Sequence, residues 1–535
     1  MWKSFLSENL CNLDRLLTHA SIPPPKSRTK PEEAPAAMSS SRNIHNGTTI
    51  YSLPLEILIN IFSLVVLGQH CLIQDYPGVS SLAFEPKDNR GPEALSHVCS
   101  LWRRIVMDFP SLWSHIDIAI NHPLNPRLIS RARAFATRAG RTPLEVHIFE
   151  PDFEREGGLR RLGLKHQGRP VLNASRMNPN TMQDFSFSPS TPVRIQSLDF
   201  NFVLRKGLRS SHMAILEYFL ARCTPGVLTH LSMQLNTSTL SSFIEPADDF
   251  HVPDSVLLDM PGQIFESIFL GTTSLRLNNL CPRWGSKAYH GLVELRIGRQ
   301  VPVILETELV SILKSSPRLR VLHIRTFIED LYPPSDPVVP VQLEDLEDLE
   351  LHDRSEFNFT PCGEILRWIA PGTKPLQLTF DGYPSEGALL FCTRSNITRF
   401  FGESFRQESV AAMIRRCSWL EVLALNPGWF EIDNLYSILC PIDECNTLGV
   451  VPVTKVKTLY LVNFSVLPLE ELEKAVEKYW VQRLVIRNCS ISYQTGEGAK
   501  KTSDPQEIRA LLSNLNTCPI VEYLDERCSL DLEGW

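Results

Sequence analysis

The 535-residue sequence predicts an α/β protein in which a small helical module precedes an irregular solenoid of strand-and-helix repeats. Three observations support this prediction. Apolar residues recur at helical spacing in two segments, near residues 55 and 100. From about residue 192 onward, an apolar frame of the form L-x-x-L-x-L recurs along the chain. The copies lie roughly 20 to 45 residues apart, which is typical of a repeat that contributes one strand and one helix.

The composition excludes several classes of function. With 43% hydrophobic and 21% charged residues the chain is balanced like a globular protein, and its net charge of -7 argues against a nucleic-acid partner. No apolar run approaches the roughly 20 residues of a membrane helix, and polar residues interrupt the first 25 positions before a signal-peptide core forms. The 13 cysteines include no C-x-x-C pair, which is typical of free thiols in a reducing compartment. We expect a cytoplasmic or nuclear protein with no nucleic-acid or membrane partner.

Residues 1–50 are expected to form a disordered leader. Proline, serine and charged residues dominate positions 21–49, and such a composition cannot bury enough apolar surface to fold. Ahead of them, leucines between Leu6 and Leu17 favour a short amphipathic helix.

Residues 51–117 contain the two apolar helical segments. The first, LPLEILINIF at 53–62, has the signals of a helix start. Pro54 needs no N–H partner in the first turn, and Glu56 lies at the positive end of the helix dipole. The second, HVCSLWRRI at 97–105, repeats the apolar spacing. The apolar stripe is wider than a lone helix buries, so these segments predict a partner surface.

Together the two segments resemble an F-box. The sequence P-x-E-I at 54–57 precedes V-C-x-x-W at 98–102, in the order of that family, and PSLW at 110–113 resembles the P-x-L-W tail of many fungal members. The stretch between the segments is rich in turn residues and is longer than the usual family pattern. The resemblance implies docking onto the Skp-type adaptor of a cullin-RING ubiquitin ligase.

By motif match, the resemblance also implies which side chains would supply or support the adaptor-binding surface. They are Leu53, Pro54, Ile57, Leu58, Ile61, Phe62, Val98, Cys99 and Trp102. The alternative is that the apolar residues among them are ordinary core residues.

Residues 118–190 are predicted to contain a helix, a strand and an irregular linker. The helix begins with Asn125 as its cap, and Gly140 follows its end. An alternating strand follows at 143–148, and the polar stretch from about 150 to 190 is typical of a long loop.

Residues 191–535 carry the repeated apolar frame, with other apolar residues allowed for leucine. The triplets that fit it are Ile195/Leu198/Phe200, Leu228/Leu231/Met233, Leu292/Leu295/Ile297, Leu319/Leu322/Ile324, Leu346/Leu349/Leu351, Leu420/Leu423/Leu425, Val456/Leu459/Leu461 and Val481/Leu484/Ile486. Weaker copies lie at Leu275/Leu277, Leu376/Leu378 and near Val521/Leu524. Apolar residues at helical spacing precede two frames, at 308–314 and 408–414.

The repeated frame resembles a leucine-rich repeat. The asparagine expected after each strand is mostly missing, so we predict an irregular, leucine-rich-repeat-like solenoid over 191–535. The alternative is a general α/β or β-rich domain in which the spacing is accidental.

The sequence contains no recognisable catalytic motif. Phosphate-loop, dinucleotide-binding, zinc-protease and nucleophile-elbow patterns are all missing from it. The 14 histidines lie singly along the chain, as solvated or satisfied side chains do. The acidic run at 344–350 keeps the apolar frame, so its carboxylates are predicted to face solvent. We therefore expect no catalysis, no cofactor and no metal.

These expectations combine into the substrate-recognition subunit of an SCF-type ubiquitin ligase. The helical module would bind the adaptor, and exposed strand positions would bind a protein substrate that the sequence does not identify. The strand side chains predicted to contact it are His323, Arg325, Glu350, His352, Tyr460, Arg483 and Arg487. One alternative is a non-catalytic repeat scaffold whose adaptor contact serves assembly or its own turnover. A second is an enzyme with a non-obvious site.

Overall fold

The computed structural model describes most of the chain, in segments. These are residues 50, 53–67, 91–120, 125–150, 194–203, 210–236, 241–247, 255–331, 338–352, 362–381, 385–403, 407–428, 456–496, 498–513 and 518–524. Those from Glu56 onward belong to one compact unit. The predicted leader before residue 50, the turn-rich stretch 68–90 and the predicted loop at 151–190 lie outside the described residues.

The described strands form one 17-stranded sheet and three small ones. In chain order they are β1 (His115–Ala119), β2 (Leu144–Phe149), β3 (Ile195–Val203), β4 (His230–Asn236), β5 (Ser242–Pro246), β6 (Val256–Leu258), β7 (Ser274–Asn278), β8 (Leu280–Pro282), β9 (Glu294–Ile297), β10 (Ile304–Leu305), β11 (Val321–Ile324), β12 (Ile328–Glu329), β13 (Val341–Leu343), β14 (Asp348–His352), β15 (Ile369–Pro371), β16 (Leu376–Asp381), β17 (Ile397–Glu403), β18 (Val422–Asn426), β19 (Thr458–Val462), β20 (Leu467–Pro468), β21 (Arg483–Arg487), β22 (Ile491–Thr495), β23 (Gly498–Thr502) and β24 (Ile520–Leu524).

The described helices precede these strands or connect them. They are α1 (Leu55–Leu67), α2 (Pro92–Val98), α3 (Ser100–Asp108), α4 (Asn125–Ala139), α5 (Ser210–Leu220), α6 (Gly262–Ile268), α7 (Glu306–Ser315), α8 (Glu386–Arg394), α9 (Gln407–Ile414), α10 (Leu469–Lys478) and α11 (Pro505–Leu512). A 3₁₀ turn at Pro110–Trp113 links α3 to β1. Over the described ranges, every helix is too short or too polar to cross a membrane.

The main sheet is a row of parallel strands that follows the order of the chain. Each strand from β1 to β4 pairs with the next, β4 pairs with β7, and the row continues through β9, β11, β14, β16, β17, β18, β19 and β21 to β24. The strands β5, β6 and β8 add a side branch next to β7. The fold is therefore mixed α/β, as the sequence predicts, and it contains a large parallel sheet.

The repeated apolar frame accounts for this row. Leu295 pairs with Leu322, and Leu322 pairs with Leu349, so the same frame position meets its equivalent on each neighbouring strand. All members of the eight predicted triplets are almost completely buried. Burial contributes about 1.5–3 kcal/mol for each large apolar side chain. The frame residues of each strand therefore stabilise its packing against the strands on either side.

The predicted helices also occur. The segments 308–314 and 408–414 lie within α7 and α9, and α4 begins at Asn125. Gly140 follows α4 with a φ of 59°, a left-handed conformation that glycine adopts without steric cost.

Three strands of the row lie outside the predicted repeats. The strand β17 was not predicted, because Gly402 stands where the frame requires a large apolar residue. The strands β1 and β2 lie within the ranges 51–117 and 118–190, which the sequence assigns to other modules, yet they pair in the same row. The sheet therefore begins ahead of residue 191.

Trp113 joins the helical segments to the start of this row. It is fully buried, and its indole Nε1 donates a 2.8 Å hydrogen bond to the backbone carbonyl of Val106 in α3. Its ring packs edge-to-face on Phe135 of α4 with centroids 5.0 Å apart, and the Arg138 guanidinium lies 4.2 Å from the ring centre. One side chain thus holds α3, α4 and the approach to β1 together.

Replacing Trp113 should therefore destabilise the fold strongly. We expect Trp113→Ala to lower the free energy of unfolding by about 3–5 kcal/mol, because a buried aromatic ring and its hydrogen bond are lost. Urea denaturation followed by circular dichroism measures the change. The matched control is Trp419→Ala, since Trp419 is 66% exposed and should cost less than about 0.5 kcal/mol. Equal effects of the two variants would contradict this role for Trp113.

Candidate functional site

Helix α1 has one buried and one open apolar face. Leu58 and Phe62 are buried, and the Phe62 ring packs on Trp102 with centroids 4.7 Å apart. On the other face, Ile57 is 44% exposed, Ile61 is half-buried and Leu64 is 50% exposed. Positions i, i+4 and i+7 share one side of a helix, so these three side chains form a continuous apolar stripe.

The helices α2 and α3 repeat this division. Trp102 is buried, whereas Val98 at the end of α2 is 50% exposed and Met107 in α3 is also exposed. Cys99 caps α3, because its Sγ accepts a 3.4 Å hydrogen bond from the backbone N–H of Trp102. In this structure Cys99 acts as the N-cap of α3.

The predicted adaptor-binding residues therefore fall into three groups. Pro54, Ile57 and Val98 are exposed; Leu53, Ile61 and Cys99 are half-buried; Leu58, Phe62 and Trp102 are buried. The alternative that they are all core residues is wrong for Ile57 and Val98. The three buried side chains support the surface from beneath and are covered by protein. Leu64 and Met107 were not predicted, although helical spacing from Ile57 marks Leu64.

One face of the main sheet, which we name the strand face, carries a row of polar side chains. They occupy the position between the last two apolar residues of each frame, so the parallel register aligns them across neighbouring strands. From β1 to β16 this row reads Asp117, His147, Asp199, Ser232, Arg276, Arg296, His323, Glu350 and Thr379.

Four of the predicted substrate-binding residues meet in one place on this face. We name it the β14 cluster, and its members are His323, Arg325, Asp348, Glu350, His352, Asp381 and Glu403. His323 lies 2.9 Å from Asp348 and 3.3 Å from Glu350, which also pairs with Arg325.

His352 forms the second half of the β14 cluster. Its Nδ1 lies 3.1 Å from Asp381 Oδ2 and 3.5 Å from Glu403 Oε2, and its Nε2 lies 2.7 Å from Glu350 Oε1. The imidazole therefore has carboxylate oxygens at both of its nitrogens.

The prediction that these strand positions are exposed is wrong for His323, Glu350 and His352. All three are buried, because their ion-pair partners on adjacent strands pack against them. The prediction that the acidic run faces solvent fails at Glu350 for the same reason, and the histidines do not lie singly in space. Of the four, only the Arg325 side chain has substantial exposure. A role in substrate binding stays a prediction.

Charge within the β14 cluster shifts the pKa of its members. Burial by itself raises the pKa of Glu350, but the close contact with His352, the hydrogen bond from Arg325 and nearby positive charge hold it well below its usual range. Burial likewise lowers the pKa of His352, but the hydrogen bond with Asp381 and the negative charges of Glu350 and Glu403 outweigh it and raise that pKa. The cluster thus favours a positive charge beside ionised carboxylates.

The other three predicted substrate-binding residues lie elsewhere on the row. Tyr460 is in β19, and Arg483 and Arg487 are in β21, with β16, β17 and β18 between them and strand β14. Arg483 makes a two-pronged contact with Glu522 on β24, with Nη2 2.9 Å from Oε2. The sequence-predicted residues therefore occupy two separate places.

A further histidine cluster, which the sequence did not reveal, lies on β1 and β2. His115 lies 3.3 Å from Asp117 and 3.4 Å from Glu145, and its ring centre is 4.6 Å from that of His147. Burial by itself lowers the pKa of His115, but the hydrogen bonds and charges of Asp117 and Glu145 outweigh it and raise the pKa to about 9.

Among the residues that the structure describes, two sets of side chains have the spacing to hold a metal ion. They are His115 with Glu145 and His147, and His352 with Asp381 and Glu403; the ligand atoms in each set lie within 4.8 Å of one another. From the sequence we expected no metal site, because the members of each set are brought together only by the strand register.

Several of the described cysteines are buried thiols that are held protonated. Burial raises the pKa of Cys223 and of Cys489 to about 12, in the latter against hydrogen bonds from the backbone that lower it. A thiol that stays protonated is a poor nucleophile, so neither residue is a candidate for covalent catalysis.

No protein-family model matches this chain, and no curated protein matches its sequence.

The raised pKa of His115 predicts that stability depends on pH. Its folded-state pKa of about 9 exceeds the ordinary histidine pKa of 6.5, so the stabilisation is complete below pH 6.5 and is lost as pH rises through 9. We expect the free energy of unfolding to fall by about 1–2 kcal/mol over this interval, and the fall to be smaller in His115→Gln. Denaturant titrations at a series of pH values measure it.

The control for this measurement is His290→Gln, because His290 is exposed. This variant should keep the pH dependence of the wild type. A His115→Gln variant with the wild-type pH dependence would contradict the assignment to His115.

Proposed function

We propose that this chain is the substrate-recognition subunit of an SCF-type, cullin-RING ubiquitin ligase. Residues 51–117 act as an F-box that binds a Skp-type adaptor, and the strand face of a leucine-rich-repeat-like solenoid receives a protein substrate. The observation that carries the proposal is the apolar stripe of Ile57, Ile61 and Leu64, which is open while the helix core beneath it is complete.

An open apolar stripe supports a partner because leaving it in water is unfavourable. Ile57 and Val98 each remove apolar surface from water if a partner covers them, which contributes about 1.5–3 kcal/mol per side chain before the cost of association. The core pair Phe62 and Trp102 does not need that partner, so the surface is available without refolding. This division is what a preformed docking surface requires.

The parallel row supports the second half of the proposal. Strand after strand follows the chain order, and the polar positions of the frame line one face, as in repeat proteins that bind partners along an extended surface. The chain itself would carry out no chemistry. Its contribution would be proximity, because it would hold a substrate lysine near a conjugating enzyme on another subunit.

The adaptor contact can be tested with surface variants that leave the core intact. Ile57→Glu places an anion in the first turn of α1 and Val98→Lys places a cation in the last turn of α2, so both suit the helix dipole. We expect the double variant to bind purified Skp-type adaptor at least about 100-fold more weakly than the wild type in isothermal titration calorimetry.

The matched control for adaptor binding is Leu390→Lys, since Leu390 is an equally exposed leucine on α8. It should bind the adaptor like the wild type, and circular dichroism should show that all three proteins are folded. Absence of adaptor binding by the folded wild type, or equal binding by the double variant, would overturn the F-box assignment.

A repeat scaffold is the second candidate, and one observation favours it. The side chains of the β14 cluster are already paired within the fold, which leaves fewer strand positions free for a substrate. In a scaffold, the adaptor contact would serve assembly or turnover of the chain itself.

A reconstituted ligase distinguishes receptor from scaffold. With adaptor, cullin, RING and conjugating subunits present, we expect ubiquitin to be transferred to proteins captured on the chain from a cell extract and identified by mass spectrometry. The Ile57→Glu/Val98→Lys variant should capture them without transfer. Ubiquitin found on the chain alone would reject the receptor and favour the scaffold.

A further inference from the structure

Around His352, the negative charge of the β14 cluster exceeds the positive charge of the groups that pair with it. Among the described residues, the cluster brings together the carboxylates of Asp348, Glu350, Asp381 and Glu403, one guanidinium and two imidazoles. The guanidinium of Arg325 pairs with Glu350, and His323 lies between Asp348 and Glu350. His352 is thus the partner that Asp381 and Glu403 share in this cluster.

A neutral His352 cannot satisfy its surroundings. The side chain is 2% exposed, and a neutral imidazole carries a single N–H. With the proton on Nδ1, the Nε2 lone pair faces Glu350 Oε1 at 2.7 Å; with the proton on Nε2, the Nδ1 lone pair faces Asp381 Oδ2 at 3.1 Å and Glu403 Oε2 at 3.5 Å. Either tautomer sets a lone pair against a carboxylate, so a second positive charge is required there.

The buried Nε2 adds an independent observation. Despite its short distance to Glu350, it lacks the alignment of a hydrogen bond and is a buried polar atom without a hydrogen-bond partner. Buried polar atoms of this kind mark positions where an ion or a ligand completes the site. If a cation binds Nδ1, the imidazole proton lies on Nε2, which faces Glu350 Oε1 at 2.7 Å.

We propose that His352 Nδ1, Asp381 Oδ2 and Glu403 Oε2 form a binding site for a divalent transition-metal ion, with Zn²⁺ as its best-fitting occupant. The three atoms lie within 4.8 Å of one another. Ligands about 2.0–2.2 Å from a tetrahedral zinc ion lie roughly 3.3–3.6 Å apart, close to the 3.1 and 3.5 Å that separate Nδ1 from the two oxygens.

The surrounding residues fit this assignment. Glu350 would accept a hydrogen bond from Nε2–H and so fix the tautomer that leaves Nδ1 free to bind the metal, the arrangement common to histidine ligands. Glu403 is the most exposed of the set, with 32% of its side chain open, so a water molecule can reach the fourth position from its side. One imidazole with two carboxylates favours zinc over calcium, which prefers oxygen ligands alone.

The strand register determines what a bound ion would do to the sheet. Its ligands come from β14, β16 and β17, which are adjacent in the row, so a bound ion would cross-link three consecutive strands on the strand face. This inference does not depend on the proposed function, since it concerns only the fold and its own side chains.

The test is a zinc titration of the full chain after its metal has been removed with a chelator. We expect one Zn²⁺ to bind with a dissociation constant below about 1 μM in a competition assay. Glu403→Gln and Asp381→Asn should each weaken binding by about 100-fold or more, and Glu350→Gln by about 10–100-fold. Thermal unfolding checks that each variant is folded, and Glu403→Gln is the mildest because its side chain reaches solvent.

The matched control is Glu145→Gln, which alters the other histidine and carboxylate set and should leave zinc affinity unchanged. X-ray absorption of the zinc-loaded protein should show nitrogen and oxygen ligands without sulfur. Binding that survives Glu403→Gln, binding lost equally in Glu145→Gln, sulfur ligation, or no binding below about 10 μM would each overturn the site. In the last case a second proton on His352 supplies the required charge.

Discussion

The structure depends on one constraint: apolar frame residues must be buried in register along a parallel row of strands. Leu295, Leu322 and Leu349 occupy the same position on three adjacent strands, and each is covered by its equivalents. Since each strand of the row pairs with the row strands that precede and follow it in the chain, the sheet grows in length without requiring a wider core. The positions of the helices, the polar face and both histidine clusters follow from that register.

The polar face shows how the same constraint places charges. The parallel register aligns every second side chain, so His323 meets Glu350 and His147 meets Asp199 on the next strand. Buried ion pairs recover little net free energy, because desolvation offsets their attraction. Their effect is on specificity, since a strand shifted by one residue would place a carboxylate in the apolar layer and leave its partner unpaired.

The sequence predicted most strands of the row but did not predict the contacts between polar side chains on its face. The frame predicted most strands of the parallel row because leucine spacing indicates burial directly, and it missed β17 because Gly402 has no apolar side chain at the frame position. It did not predict that His352 meets Asp381, since these residues are 29 positions apart and only the register joins them. Likewise, the helical motif did not distinguish buried Phe62 from exposed Ile57, because both belong to apolar stripes of one helix.

The order of the strands has a consequence for how the chain is made. Synthesis proceeds from the N-terminus, and in this row a newly emerged strand such as β11 finds its partner β9 already in place. Trp113 packs α3 and α4 against the approach to β1, and all the residues of these contacts precede most of the sheet in the chain. Pairing mostly between chain neighbours keeps loop-closure costs small. The protein is thus suited to assemble strand by strand on the ribosome. Before β24 pairs with β21, the backbone groups on that side of β21 are unpaired and can bind a strand of another chain.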